Sequence, residues 1–222
     1  NDDSASQCAA RYCVANIDGI EYIICGDQQL IATSDIPLLG SHNVMNVMAA
    51  LAIGNALSID IDVMRRAIKR FHGLPHRCQR VKSIDGVNYI NDSKATNVGA
   101  TLAAIKGLGL TSTSSNQLIL IAGGVTKGAN FAALAEQLSA IPCKLILIGE
   151  GADDIARACA QQTIQRASTM QDAVDCAYQL AKAGDYVMLS PACASLDMYK
   201  NYEARGDDFS RCVSRIAEQY AR

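Results

Sequence analysis

Two apolar runs, QLILIAGG (117–124) and CKLILIGE (143–150), constrain this chain more than any other feature. Each is nearly uninterrupted and closes on a glycine. A strand with one wet face would alternate, so such runs predict parallel strands covered on both faces. A helical pattern follows each at once, over 131–139 and 151–161. The same order recurs at YIND (89–92) before 97–107 and at DYVMLS (185–190) before 206–220. Strand–helix alternation with short connections predicts an open, doubly wound, mostly parallel α/β sheet.

The first part of the chain reads differently. YCVANI, EYIIC and QLIAT are short strand patterns separated by Asp18-Gly19 and Gly26-Asp27, the turn pairs of tight hairpins. The period then changes. In SHNVMNVMAALAIGNAL, Val44, Val47, Met48 and Leu51 share one helical face, and His42, Asn43 and Asn46 share the opposite one. A second helix, DIDVMRRAIKRF, has Asp60 or Asp62 as its N-cap and ends near His72-Gly73. Gly73 and Pro75 mark a boundary at 72–76 that is expected to act as a hinge. Residues 1–72 are then the end of a larger α/β unit, and 73–222 are a domain of their own.

Composition narrows the function classes. Twenty basic and 22 acidic residues give a formal charge of −2, which leaves no broad basic surface for nucleic acid. No apolar run is long enough to cross a bilayer, and the opening NDDSASQC lacks a signal peptide's basic start and apolar core. A cytoplasmic monomer without membrane or nucleic-acid partners is expected. The nine cysteines are odd in number and scattered, with no C-x-x-C pair and only three histidines. Reduced, buried thiols follow, and no metal site within this chain.

Ligands of open parallel sheets gather where strands end and helices begin. At the first such end, YINDSKATN (89–97) crowds Asp92, Ser93, Lys94, Thr96 and Asn97 together. A helix N-terminus capped by Thr96 or Asn97, with an added ammonium, suits an anion. An Asx-turn carrying a surface lysine fits the same residues. At the second, AGGVTKGANF (122–131) surrounds Lys127 with glycines that allow close backbone approach. At the third, GEGADD has Asp154 where a dinucleotide fingerprint needs its last glycine. At the fourth, LSPACASLDMYKNYEARGDDF (189–209) offers Ser190, Ser195, Tyr202, Lys200 and Arg205. It contains no G-x-S-x-G, and Cys193 reads as a packing thiol. HGLPHR places His76 and Arg77 at the boundary, where a histidine is structural and an arginine suits phosphate.

Five stretches in one order, GSHNVMNVMAA, GLPHRCQRV, YINDSKATN, AGGVTKGANF and LSPACASLDMYKNYEARGDDF, resemble the Mur ligases over about residues 38–221. Within that family the branch that adds D-glutamate to UDP-N-acetylmuramoyl-L-alanine in peptidoglycan synthesis is the most similar. The resemblance implies a Rossmann-like C-terminal domain preceded by the end of a central ATPase domain. It also implies an acyl phosphate made with ATP, which the D-glutamate amine then attacks. No G-x-x-x-x-G-K-[ST] occurs in this chain, so the P-loop and the Mg2+ ligands are expected upstream, and the chain alone is expected to be inactive.

By the same resemblance, Asn43 and Asn46 would contact adenine and Asp92 the ribose. Arg77 would reach phosphates and ribose, and Lys94 would stabilise phosphate and intermediate. Thr96 and Lys127 would hold one carboxylate of D-glutamate, and Ser195 with the backbone at Tyr202 the other. Val125 stands where the family often has an acidic residue, Asn130 where aspartate is common, and Tyr202 where phenylalanine is. A sister amide ligase, such as a folylpolyglutamate synthetase, and a non-catalytic nucleotide-binding module are the rival readings.

Overall fold

The hairpin pairs turn where the sequence predicts. Asp18 and Gly19 both take positive φ, 53° and 84°, and join β1 (Tyr12–Ile17) to β2 (Ile20–Cys25). The computed structural model describes residues 12–38 and 40–220, apart from the side chains of Ser41 and His42, so the expected polar placement of His42 lies outside the described residues. The chain divides into two compact units, Asn1–His72 and Gly73–Arg222.

In the first unit β1, β2 and β3 (Gln28–Ala32) form an antiparallel sheet in sequence order. α1 (Ser41–Ala56) follows, then α2 (Ile61–Arg70). Ile23, Leu30, Ile31, Val47 and Leu51 form one apolar cluster, each contributing about 1.5–3 kcal/mol on burial. Asp60 is the N-cap of α2: its carboxylate accepts from the amides of Asp62 and Val63. At the other end, Lys69 and Arg70 suit the negative pole of the helix.

The second unit is a six-stranded sheet in the order β4-β5-β9-β6-β7-β8. Its strands are β4 (Gln79–Ile84), β5 (Val87–Asn91), β6 (Leu118–Gly123), β7 (Cys143–Ile148), β8 (Thr163–Arg166) and β9 (Tyr186–Leu189). Only the β4–β5 pair is antiparallel. The helices are α3 (Val98–Gly107), α4 (Ala132–Ser139), α5 (Ala152–Ala158), α6 (Met170–Leu180) and α7 (Tyr202–Tyr220).

Alternation along the strands divides the core. Tyr89, Ile119, Ile121, Ile146, Val187 and Leu189 pack with Val174 and Ala177 of α6 and with Phe209, Val213 and Ile216 of α7. Their neighbours Ile90, Leu118, Leu120, Leu145, Leu147 and Met188 are equally buried and point the other way. Both faces are covered, as the continuous apolar runs predict.

β4, β8 and α6 add to the alternation read from the sequence, and α7 begins at Tyr202 rather than at 206. β4 and α6 had a local signal. Asp85-Gly86 turns the β4–β5 hairpin with φ of 49° and 78°. Thr169 and Asp172 close a capping box at the start of α6. The topological consequence matters most: β9, last in the chain, lies between β5 and β6, so its end is flanked by theirs.

Candidate functional site

Four connections, after β5, β9, β6 and β7, therefore stand side by side at the carboxyl edge of the sheet. The β5 end is the most densely bonded. Asn91 is fully buried; its amide donates to the carbonyl of Gly206 at 2.8 Å and lies 3.2 Å from His76 Nδ1. Asp92 is 6 % exposed. One of its oxygens accepts from the Cys78 amide at 3.1 Å and the other from Ser190 Oγ at 2.7 Å. Asp92 thus joins the β5 end to the β9 end and to the segment carrying Arg77. The Lys94 amide, donating to the His76 carbonyl at 3.0 Å, makes a second tie to that segment. Burial first, and then Asp92, pushes the Cys78 thiol up to about 12, so it stays protonated.

Ser93 and Lys94 meet the start of α7. The Ser93 hydroxyl donates to the Tyr202 carbonyl at 2.8 Å, and Lys94 Nζ lies 3.8 Å from the centroid of the Tyr202 ring. The Thr96 amide donates to the Lys94 carbonyl at 2.8 Å, which turns the chain, and Asn97 rather than Thr96 caps α3 through Ala100 N at 2.9 Å.

Backbone bonds tie the loop after β6 to the ends of β9 and β7. Val125 and Ala194 exchange amide bonds at 2.9 and 3.0 Å in an isolated antiparallel bridge. Gly151 N donates to Gly124 O at 2.9 Å, bringing in the β7 end. A tight turn closed by Ala129 N on Thr126 O at 3.0 Å follows, with Lys127 and Gly128 at φ of 51° and 72°. Lys127 is exposed at the tip of that turn. The two departures in this loop have local work: Val125 makes the bridge, and Asn130 accepts from Ala132 N at 2.8 Å at the start of α4.

Arg205, on the first turns of α7, is the residue that sequence reasoning left without a role. It is 1 % exposed. Its Nε donates to Ser93 Oγ at 3.0 Å, and Nη2 to the carbonyls of Ser93 at 2.9 Å and Cys193 at 3.2 Å. Its Nη1 reaches the carbonyls of Cys193 at 3.2 Å and Gly123 at 3.5 Å. All five N–H groups have an acceptor, and those acceptors sit on the ends of β5, β6 and β9. Burial lowers this guanidinium to about 10, still charged at neutral pH. In the sequence it is an arginine between Glu203 and the acidic pair Asp207-Asp208, which reads as a solvated ion-pairing side chain, and nothing local shows that it turns inward.

The predicted residues are thus distributed as follows. Asp92, Lys94, Thr96 and Tyr202 gather at the β5 end and the start of α7, with Arg77 exposed on the segment tied to them. Ser195, 3 % exposed, follows the Val125–Ala194 bridge and opens the turn to Tyr199, whose amide donates to its carbonyl at 2.8 Å. Asn43 and Asn46 belong to the first unit, where the Asn46 amide donates to Asn43 Oδ1 at 3.2 Å. Cys193 is buried, and that burial pushes its thiol up to about 11 despite Arg205, which suits packing and not nucleophilic attack. Asp154, the misfit of the fingerprint, pairs with Arg157 on α5.

Comparison with known proteins adds a frame to this geometry. Residues 76–193 match the family described as Mur ligase, glutamate ligase domain. The UDP-N-acetylmuramoylalanine–D-glutamate ligase of Marinobacter nauticus is 49 % identical over 196 residues, 88 % of this chain and 43 % of the relative. That of Colwellia psychrerythraea is 50 % identical over 197 residues, 89 % of this chain and 41 % of the relative. The chain therefore spans about two fifths of these relatives. Among solved structures, the UDP-N-acetylmuramate–alanine ligase of Thermotoga maritima superposes with a TM-score of 0.63 at 12 % identity, over 90 % of this chain and 43 % of that one. A UDP-N-acetylmuramoyl-L-alanyl-D-glutamate–2,6-diaminopimelate ligase does so with 0.61 at 20 % identity, over 97 % and 47 %. At such identities the structural likeness speaks to the fold.

Proposed function

The chain belongs to the Mur ligase family, and from that premise we propose that it is part of a cytoplasmic, ATP-dependent ligase that joins D-glutamate to UDP-N-acetylmuramoyl-L-alanine. Residues 1–72 would be the end of its ATP-binding domain and 73–222 its amino-acid-binding domain. The observation that carries the reading is the neighbourhood of the strand ends. Lys94 and Thr96, the Lys127 turn and Ser195 stand on adjacent connections of one sheet, in a chain about half identical to named D-glutamate ligases.

A dicarboxylic amino acid needs cationic and hydroxyl groups at two places, and this edge offers them on separate loops. We assign Thr96 and Lys127 to one carboxylate, and Ser195 with the Tyr202 backbone to the other. In the first step a substrate carboxylate oxygen attacks the terminal phosphorus of ATP and ADP leaves. In the second the D-glutamate amine attacks the acyl carbon, phosphate leaves and the nitrogen gives up a proton. Lys94 would balance charge on the transferred phosphate, a task suited to a compact ammonium. Arg77, exposed and tied to the same turn, would serve phosphates and ribose. Asp92 would accept from a ribose hydroxyl while its bonds to Cys78 and Ser190 keep the turn in place. Asn43 and Asn46 would serve adenine. Among the described residues no group of three or more His, Cys, Asp or Glu side chains is arranged to hold a metal.

The test is phosphate release by the complete enzyme with ATP and UDP-N-acetylmuramoyl-L-alanine, offering D-glutamate, L-glutamate, L-alanine and diaminopimelate in turn. Release only with D-glutamate, and none from residues 1–222 alone, is expected. Equal turnover with another amino acid would point to a sister ligase, and turnover by the chain alone would end the reading as a part.

A further inference from the structure

Lys94 occupies an electrostatically awkward place. Tyr202, the residue beneath it, is the first of α7, and the N-terminal turn of a helix carries a partial positive charge. An ammonium left there without help would swing towards water. Two features oppose this. The Tyr202 ring presents its negative π-face to Nζ at 3.8 Å. Glu203, next along the helix, has its carboxyl held below the ordinary range, first by a hydrogen bond from the Tyr202 hydroxyl and also by its own amide, Lys94 and His76.

Tyr202 is held at its backbone and at its ring. The Tyr202 carbonyl accepts from Ser93 Oγ at 2.8 Å, and His76 packs edge-on with ring centroids 6.0 Å apart. His76 is in turn fixed. Its Nδ1 faces the Asn91 amide at 3.2 Å, its Nε2 lies 3.6 Å from Asp207, and a Cβ on Gly206 would come within 2.2 Å of it. The same histidine's carbonyl accepts from the Lys94 amide at 3.0 Å. One histidine thus sets both the backbone of Lys94 and the ring beneath its side chain.

We propose that the Tyr202 side chain is a positioning residue for Lys94, its aromatic face holding the ammonium beside the start of α7 so that the helix end and the lysine charge meet an incoming anion together. This deepens the proposed function and rests on it for the identity of the anion, but the contact can be tested without turnover. The ring makes the contact with Lys94 and the hydroxyl bears only on Glu203, so phenylalanine should keep Lys94 in place and an aliphatic residue should not.

The experiment labels the lysine ε-carbons with 13C and assigns the Lys94 signal with a Lys94→Arg variant of this chain. Ring current should move the Lys94 ε-protons upfield of the other lysines in the parent and in Tyr202→Phe, and Tyr202→Leu should return them to the common position. In the complete enzyme Tyr202→Leu should lower kcat roughly three- to tenfold, the range of one exposed to half-buried cation–π contact. KM for D-glutamate should stay unchanged, and Tyr202→Phe should restore kcat. A Lys94 signal that is not shifted in the parent, or that stays shifted in Tyr202→Leu, overturns the contact. Equal kinetic losses in Phe and Leu variants overturn the role, because they would put the effect in the hydroxyl. Failure of the D-glutamate reading would appear instead as absent D-glutamate turnover in the parent enzyme, with the ring-current result untouched.

Discussion

Arg205 holds Ser93 by both of its oxygens, donating to the hydroxyl at 3.0 Å and to the carbonyl at 2.9 Å. Ser93 immediately precedes Lys94, so a cation buried in α7 sets the position of a cation at the edge of the sheet. The same guanidinium reaches Cys193 and Gly123, at the roots of the loops that carry Ser195 and Lys127. It makes these bonds to neutral acceptors, which satisfy every N–H without cancelling the charge.

The fork shape is therefore essential, and Arg205→Lys should not be conservative. Lysine keeps the charge but offers three donors from one point, leaving buried carbonyls of Ser93 and Cys193 without a partner. A loss of about 1.5–3 kcal/mol is expected from urea unfolding, the size of hydrogen bonds to a charged group. A midpoint unchanged from the parent would show that the carbonyls find other donors.

Two glycines of the Lys127 loop should respond very differently to alanine. At Gly124, φ is 124° and an added Cβ would fall 2.1 Å from the Ala194 carbonyl, which accepts in the Val125 bridge. Gly124→Ala should cost about 2–6 kcal/mol, strain plus the two hydrogen bonds of the bridge it breaks, read as lost amide protection at Val125. Gly128, with φ of 72° and nothing within 4 Å, should cost only about 1–2 kcal/mol as alanine. Equal costs, with Val125 still protected, would contradict this packing.

The β6 and β7 runs made the central sheet legible, because strands buried on both faces leave no polar alternation to misread. β8 was not legible: TIQR is short, with three of its four residues exposed, and lies at an edge. The candidate residues were legible as polar groups crowded at strand ends, where an ordinary turn needs no lysine. Their mutual contacts were not, since Lys94 and Tyr202 are far apart in sequence and meet only because β9 inserts between β5 and β6. Arg205 escaped for a related reason. Burial of a guanidinium is decided by carbonyls from three distant loops, and no local pattern encodes them.

The buried thiols should give the chain an alkaline limit. Burial, partly offset by Arg205, raises Cys193 to about 11, whereas an unfolded thiol titrates near about 8.5. Between those values the unfolded chain has lost a proton that the native chain keeps, so stability falls as pH rises and is full below the window. Unfolding midpoints measured from pH 7 to pH 11 should decline above about pH 8.5, and Cys193→Ala should flatten part of the slope. A profile that Cys193→Ala leaves unaltered would place the alkaline loss in other groups.

The division of labour between Lys127 and Lys94 is the centre of the account, and steady-state kinetics of the complete enzyme test it most directly. Lys127 is exposed on its turn after β6, whereas Lys94 rests against Tyr202 at the β5 end. Lys127→Ala should weaken D-glutamate use roughly ten- to a hundredfold, the value of a charge-assisted contact, with the ATP constant little changed. Lys94→Ala should lower kcat at saturating levels of both. The measurement is a pair of Michaelis curves for each variant, with D-glutamate varied at saturating ATP and then the reverse. A rise in KM for D-glutamate confined to Lys127→Ala is the predicted result; a rise in the ATP constant with D-glutamate untouched would contradict the placement of the amino-acid pocket.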